Sequence, residues 1–290
     1  MKILLLGKNG QVGWELRRTL APLAEVVAVD YPEINFTDAP AMRQLVAGSR
    51  PDVVVNAAAY TAVDKAEKET ELCRQINAVA PGVLAEETKK LGVLMVHYST
   101  DYIFDGTKTS PYAETDAPNP LGAYGRSKLE GDQSVKASGA DHLIFRLCWV
   151  YGARGHNFML TMQRLARERE KLRVVGDQCG CPTWSRMIAE TTTLALKQVL
   201  ANADRSAFNG EYHLAAGGHT SWHEFASRII ELMPEVERKC RAVEKISTAD
   251  YPLPAKRPAN SVLNCGKLQI TFGLRLPDWE FSLRQVLDKP

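Results

Sequence analysis

The chain has 290 residues, 45% of them hydrophobic and 24% charged, with a formal net charge of +2. Such proportions belong to an ordinary globular protein that can bury a large core without disulfides or metals. The near-balanced charge argues against a dedicated nucleic-acid surface, and no apolar run approaches the roughly 18 residues of a membrane helix.

The first element, Ile3 to Leu6, is a short apolar run that predicts a buried strand. The run from Met1 to Gly7 is too short for a signal peptide, so a cytoplasmic location is expected. Gln11 to Leu20 follows as a helix with Val12, Leu16 and Leu20 on one face. Val26 to Val29 is a second strand, closed by Asp30. Asp38-Ala-Pro40 opens a helix and Gly48 stops it, and Val53 to Val55 is a third strand. A helical stretch runs from about Glu71 to Leu91, with Pro81 as a kink or break. Val93 to His97 is the next strand, then a loop to Pro120, the helix that carries Tyr124, and a strand from His142 to Cys148.

Apolar strands alternating with helices imply an α/β fold, a doubly wound (Rossmann-like) parallel sheet covered on both faces. Beyond Tyr151, Asn157 to Arg169 and Ser185 to Leu200 are helical, and Tyr212 to Ala215 is expected to return to the main sheet. Ser221 starts another helix, and Tyr251 to Pro258 is a proline-rich loop. The expected division is a dinucleotide-binding domain over 1–150, rejoined by about 183–216. A smaller substrate-binding lobe of 151–182 and 217–290 lies over the sheet's carboxyl edge.

Gly7, Gly10 and Gly13 stand between the first strand and the first helix. Glycines there permit a tight turn and let backbone N–H groups approach a pyrophosphate, and the helix N-terminus favours its charge. Asp30 ends the second strand, where a carboxylate can accept hydrogen bonds from an adenosine ribose. That charge leans toward NADH, while Arg17 and Arg18 could offset it, so NADPH and NADH are both candidates. Asn56-Ala57-Ala58-Ala59 supplies small side chains at the third strand's end.

Tyr124 and Lys128 are one helical turn apart and share a helix face. A phenol there can protonate a carbonyl oxygen, and a cation beside it favours the phenolate left behind. Thr100, in Ser99-Thr100-Asp101, offers a hydroxyl to the same carbonyl. Thr100, Tyr124 and Lys128 are the candidate catalytic residues. Lys128 could also hold the nicotinamide ribose.

These residues resemble the extended, sugar-nucleotide-modifying branch of the short-chain dehydrogenase/reductase superfamily, most closely its dTDP-4-dehydrorhamnose reductase family. The blocks that carry the resemblance are Gly7 to Glu15, Val55 to Glu67, His97 to Phe104, Tyr124 to Lys128, Arg146 to Tyr151, Gly180 to Thr183 and Arg257 to Ser261. The resemblance implies hydride transfer to C4 of a nucleotide-linked 4-keto sugar, with Tyr124 protonating the oxygen. It implies that Gly10, Gln11, Val12, Asp30, Asn35, Phe36, Ala59, Tyr60, Thr61 and Tyr98 line the dinucleotide, beside Gly7, Gly13, Tyr124 and Lys128. Thr100, Asp101 and Trp149 would touch the sugar nucleotide. Arg257 is a diphosphate partner by the chemistry of guanidinium. Some family members bind Mg²⁺ through acidic residues at a dimer contact. Glu15 fits that pattern, but Arg186 stands where another acid is expected and the chain stops soon after Leu287. Neither the metal nor that particular dimer is therefore expected, and a homodimer stays a candidate.

Other features read more plainly. The six cysteines are expected to be thiols, since Cys179-Gly-Cys181 lacks a second pair at zinc spacing. His219 and His223 lack the glutamate of a zinc motif between them, and Trp222, Phe225 and Ile229 read as core. Two alternatives stand beside the reductase. A sister epimerase or dehydratase is one, although a dehydratase would want an acid where Tyr102 follows Asp101. The other is a non-catalytic dinucleotide-binding subunit resembling the regulatory subunit of methionine adenosyltransferase.

Overall fold

The computed structural model describes residues 1–288. Five strands, β1 (Lys2–Leu6), β2 (Glu25–Val29), β3 (Val53–Asn56), β4 (Leu94–Thr100) and β5 (His142–Leu147), join a closing strand, Gly210–His213. They form one parallel sheet in the order β2-β1-β3-β4-β5-closing strand. The doubly wound expectation is borne out.

Alternation along the strands divides the interior into two layers. Ile3, Leu5, Val53, Val55 and Val96 face one side and pack with Leu16, Leu20, Ile188 and Leu196. Leu4, Leu6, Val54, Met95 and Ile144 face the other and pack with Met42, Val46, Val83 and Leu84. Each fully buried Leu, Ile or Val contributes about 1.5–3 kcal/mol, so both layers hold the sheet firmly. A third core joins Met159, Met162, Phe225, Ile229 and Leu283 beyond the sheet's edge. Leu268, Phe272 and Leu276, far along the chain, nevertheless pack into the first layer.

Three local expectations change. The helix Ala39–Ser49 begins as expected, with Asp38 accepting from the Ala41 N–H at 2.9 Å, but runs through Gly48 and ends at Arg50, which takes φ 44°. The stretch before Leu91 is not one helix. It divides into Thr70–Arg74, a wider π turn over Gln75–Val79, and Ala80–Leu91. Pro81 has no N–H to give the carbonyl of Asn77, four residues earlier. Gly131 packs on that carbonyl instead, where a Cβ would come within 2.1 Å of it. Finally, β4 does not stop at His97 but pairs with β5 through Thr100. Polar Ser99 and Thr100 stay buried there because partners beneath and beside them satisfy their hydroxyls.

The sheet order reverses about β1: β2 lies on one side of it and β3 on the other. In open α/β sheets the crevice beyond such a reversal, at the carboxyl ends of the strands, is where ligands bind.

Candidate active site

Two cavities open at that edge. One, of about 860 Å³, runs from the glycine turn past Asp30 to Thr100, Tyr124 and Lys128. The other, of about 870 Å³, lies between the Phe158–Glu168 helix, the Lys171–Val175 strand and the loop around Tyr251 to Arg257. Tyr102, Phe158 and Trp222 line both.

The glycine turn is built for close backbone approach. Gly7 takes φ 85° and donates to Val29 O at 2.9 Å, and a Cβ on it would lie 2.4 Å from Ala58 N. A Cβ on Gly13 would lie 2.0 Å from Gly7 O, so its work is to seat the helix against the turn. No side chain caps the helix Gln11–Leu20 at Gly10, so its first N–H groups are left for an anion. Asp30 closes the next strand, its two oxygens accepting from Asn9 N and Tyr31 N at 2.8 Å each. Glu33 braces the same loop by accepting from Asp30 N and Lys8 Nζ, and these bonds hold its pKa below the usual carboxylate value. The turn, the free helix end and the long cavity together fit a dinucleotide.

Most of the expected cofactor residues line this cavity: Gly7, Gly10, Gln11, Val12, Asp30, Phe36, Ala59, Thr61, Tyr98, Tyr124 and Lys128. Gly13, Asn35 and Tyr60 do not. The Asn35 side chain folds onto Thr37, and the Tyr60 phenol turns to Glu69.

At the reacting end Thr100, Asp101, Tyr124, Lys128 and Trp149 all face the first cavity. Thr100 donates to Asp101 Oδ1 at 3.0 Å. Burial pushes the Asp101 carboxyl up to about 6 and the Tyr124 phenol above its ordinary value, the facing Thr100 hydroxyl offsetting part of the second effect. The tyrosine is therefore protonated throughout the neutral range, the state a proton donor needs. Lys128 is placed differently from the simplest reading of a Tyr-Lys pair. Its Nζ donates to Tyr98 O at 2.6 Å and lies 3.3 Å from His97 Nε2, so its hydrogen bonds run beneath the phenol rather than to it. Burial brings the lysine down to about 8.

Arg257 is absent from the first cavity and lines the second, with Arg169 and Arg173. It forms a two-pronged ion pair with Asp64, at 3.0 and 2.8 Å. The guanidinium thus reaches the second cavity already oriented, and already half neutralised.

Several working residues escaped the sequence reading. Glu67 accepts from the Ala123 N–H at 2.7 Å and caps the helix Ala123–Ala137 that carries Tyr124 and Lys128. Asn77 clamps the Tyr60 backbone through both of its groups and also donates to Ser127. Trp222, expected in the core with Phe225 and Ile229, packs against that core and also stacks on Trp149 and walls both cavities, while Phe225 and Ile229 are buried. A helical spacing of apolar residues marks a face but not which end of it meets a cleft. All six cysteines are free thiols. His223 spends Nε2 on Val243 O.

Glu15 is buried, with Arg18 and Arg186 each 3.5 Å from its Oε2. Two guanidinium groups already answer its charge, so these residues do not fit a divalent cation. Among the described residues no cluster of three or more His, Cys, Asp or Glu side chains could hold a metal.

A parallel sheet with a glycine turn at its reversal and a Thr-Tyr-Lys cluster at its carboxyl edge defines a protein of the extended short-chain dehydrogenase/reductase type. The chain belongs to the RmlD substrate binding domain family, which matches residues 1–290. It is 49% identical over 288 residues to the dTDP-4-dehydrorhamnose reductase of Burkholderia thailandensis, covering 98% of this chain and 97% of that one. To the enzyme of that name from Escherichia coli K12 it is 43% identical over 295 residues, covering 100% and 98%. Among solved structures, the dTDP-4-dehydrorhamnose reductase of Clostridium acetobutylicum superposes with a TM-score of 0.92 at 37% identity, over 99% of both chains. The Bacillus anthracis enzyme, solved in complex with NADP, gives 0.89 at 33% identity over 98% of both.

Proposed function

We propose that the protein reduces the C4 keto group of dTDP-4-dehydro-L-rhamnose to give dTDP-L-rhamnose, with NADPH or NADH as the hydride source. The observation that carries this reading is the meeting of the two cavities at Tyr102, Phe158 and Trp222, with Thr100 and Tyr124 on the wall of the first. A dinucleotide in the first cavity and a nucleotide sugar in the second would meet at the phenol. The bound dinucleotide supplies the hydride. Tyr124, kept protonated by burial, gives its proton to the sugar oxygen, and Thr100 hydrogen-bonds the same oxygen. Lys128 supplies positive charge beneath the phenolate that remains. Asp101 and Trp149 border the sugar, and Arg257, with its neighbours Arg169 and Arg173, faces the diphosphate.

The same proposal assigns the glycine turn and main sheet to the dinucleotide, and 151–182 with most of 217–290 to the sugar nucleotide. The segment around Leu268 to Leu276 packs with the sheet and belongs with the first part. A cytoplasmic location fits a biosynthetic enzyme of this kind, and a homodimer stays a candidate from the family resemblance. Among the described residues no helix is long and apolar enough to cross a membrane.

The test is the absorbance loss of NADPH or NADH on addition of dTDP-4-dehydro-L-rhamnose. Turnover supports the reading. Tight dinucleotide binding with no turnover from either cofactor overturns it in favour of a non-catalytic subunit. Tyr102, standing where a dehydratase would carry an acid, argues against elimination of water.

A further inference from the structure

Behind the cleft, Lys128 belongs to a buried polar cluster that neither cavity reaches in full. One nitrogen of the His97 ring faces two charged side chains, while the other, Nδ1, meets the Asn56 amide at 3.2 Å. The ring's Nε2 is 3.3 Å from Lys128 Nζ and 3.9 Å from Asp132 Oδ1. Burial first, and then the Lys128 charge, hold the His97 pKa well below its ordinary value, so the ring is neutral. Asp132 follows Lys128 by one helical turn and is almost fully buried. Its Oδ2 accepts from Ser99 at 2.7 Å and lies 3.7 Å from Arg146 Nε, while Oδ1 makes no hydrogen bond among the described residues. Beyond Arg146 the cluster runs through Glu211 to Lys136 at the surface.

A carboxylate with an unpaired oxygen in a dry interior is expensive, and an apolar residue of similar shape would pack there without that cost. The charge therefore calls for another reason. Every group around Lys128 narrows it. From β4 come the neutral His97 and the Tyr98 carbonyl; from β3, the Asn56 amide. The adjoining helices bring Tyr124, still protonated, and Cys73, whose thiol burial pushes up and keeps neutral. Arg146 is a second cation, and Glu211 lies on its far side. Asp101 lies beyond Tyr124, on the cleft wall. Among the described residues Asp132 is the one carboxylate close behind the ammonium.

We propose that Asp132 is a positioning residue of the reduction, a buried anion that shares the neighbourhood of His97 Nε2 with the Lys128 ammonium and keeps it charged, while Arg146 balances Asp132 from behind. This rests on Lys128 acting at the proposed site. Burial draws Lys128 down to about 8 and raises Asp132 to about 6, so both are ionised together only in the range between, where the two charges sustain each other. Without the anion, Lys128 loses its proton at lower pH and the phenolate loses its support.

The experiment compares kcat against pH, from about pH 6 to about pH 9, for wild type, Asp132→Asn and Lys128→Met. Asn keeps the shape and the Ser99 contact. The expected result is an alkaline limb moved down by about one unit, so kcat falls roughly fivefold near pH 8 and roughly tenfold near pH 9, and returns to within about twofold of wild type near pH 6. A profile superimposable on wild type, or an equal loss at every pH, overturns the proposal. If Lys128→Met keeps wild-type kcat, the assumed role of Lys128 fails and takes the proposal with it. If only Lys128→Met is impaired, the proposal alone fails. A second measurement uses the intact protein, loaded with ¹³C-lysine and titrated by NMR. The Lys128 signal is expected to report its own titration and also a smaller acid step from Asp132. Absence of the acid step overturns the coupling even where the variant does not fold.

Discussion

Trp149 and Trp222 lie face to face, their ring centroids 3.5 Å apart and their planes within 8°, at the seam between the two cavities. Trp149 reaches this position from a left-handed backbone, φ 43°, and its indole fills the space beside Gly180, where a Cβ would come within 2.4 Å of the ring. Such pairs contribute about 0.5–1.5 kcal/mol beyond area alone, equivalent to about twofold to tenfold in affinity. Trp222→Ala should raise KM for the nucleotide sugar by about that factor and leave dinucleotide Kd within about twofold. Steady-state kinetics beside a fluorescence titration decides it. Equal weakening of both ligands would show that the stack supports the whole edge rather than the sugar side.

Tyr124 is held protonated by burial, with Thr100 facing it. Tyr124→Phe removes the proton and almost no volume. General acids are worth about 10²–10⁴ in rate, so kcat should fall by at least about a hundredfold with dinucleotide affinity unchanged. Comparable losses in kcat and in cofactor binding would mark the phenol as structural.

Asp30 gives both oxygens to backbone N–H groups of its own loop and still faces the first cavity. A fixed negative charge at that end disfavours a 2′-phosphate more than a hydroxyl. Asp30→Ala should shift the ratio of kcat/KM for NADH over NADPH toward NADPH by about fivefold to tenfold. An unchanged ratio would leave Asp30 with only its loop-bracing role.

His213 is buried beside Arg146, and burial first, then that charge, hold its pKa down to about 3. The unfolded chain binds a proton there near 6.5, so folding stability from this site is complete above that value and is lost as pH falls from about 6.5 toward 3. Asp101 and Asp132, raised to about 6, act in the opposite direction, so whole-protein curves mix the terms. Comparison with His213→Gln separates them. Between about pH 6.5 and pH 5 wild type should lose on the order of 2 kcal/mol more than the variant by urea denaturation. Parallel curves would show that the imidazole is solvated at low pH.

Much of the central sheet is legible in the sequence, because periodicity and end chemistry speak for themselves there. β1, β2 and β3 are mostly apolar runs, and their ends at Gly7, Asp30 and Asn56 are visible as changes of residue type. Thr100, Tyr124 and Lys128 could be grouped because strand ends in such a sheet converge. Failures came where a partner distant in sequence decides the outcome. β4 extends through polar Ser99 because Asp132 meets its hydroxyl, and at the π turn Gly131 packs on the Asn77 carbonyl that Pro81 leaves without a helical donor. Lys128 follows the same logic: its spacing from Tyr124 was visible, but its pull toward His97 and the Tyr98 carbonyl was not. Glu67 stood in a recognisable motif, yet nothing in its own neighbourhood says that it caps a helix 56 residues on.

The closing strand Gly210–His213 pairs with Leu143 to Arg146 only after the chain has built much of the Phe158–Glu168 and Lys171–Val175 region in between. During synthesis the sheet edge at β5 must therefore stay open until more than two thirds of the chain has emerged. The interval exposes unpaired backbone beside apolar Leu143 and Phe145, the condition under which partly folded chains stick to one another. Truncations upstream of Gly210 would consequently yield an aggregating product rather than a minimal dinucleotide binder. A piece that keeps only the first cavity must therefore retain Gly210–His213 and the sheet-packing helix Ser185–Ala201 with β5, which a simple cut after Tyr151 does not do.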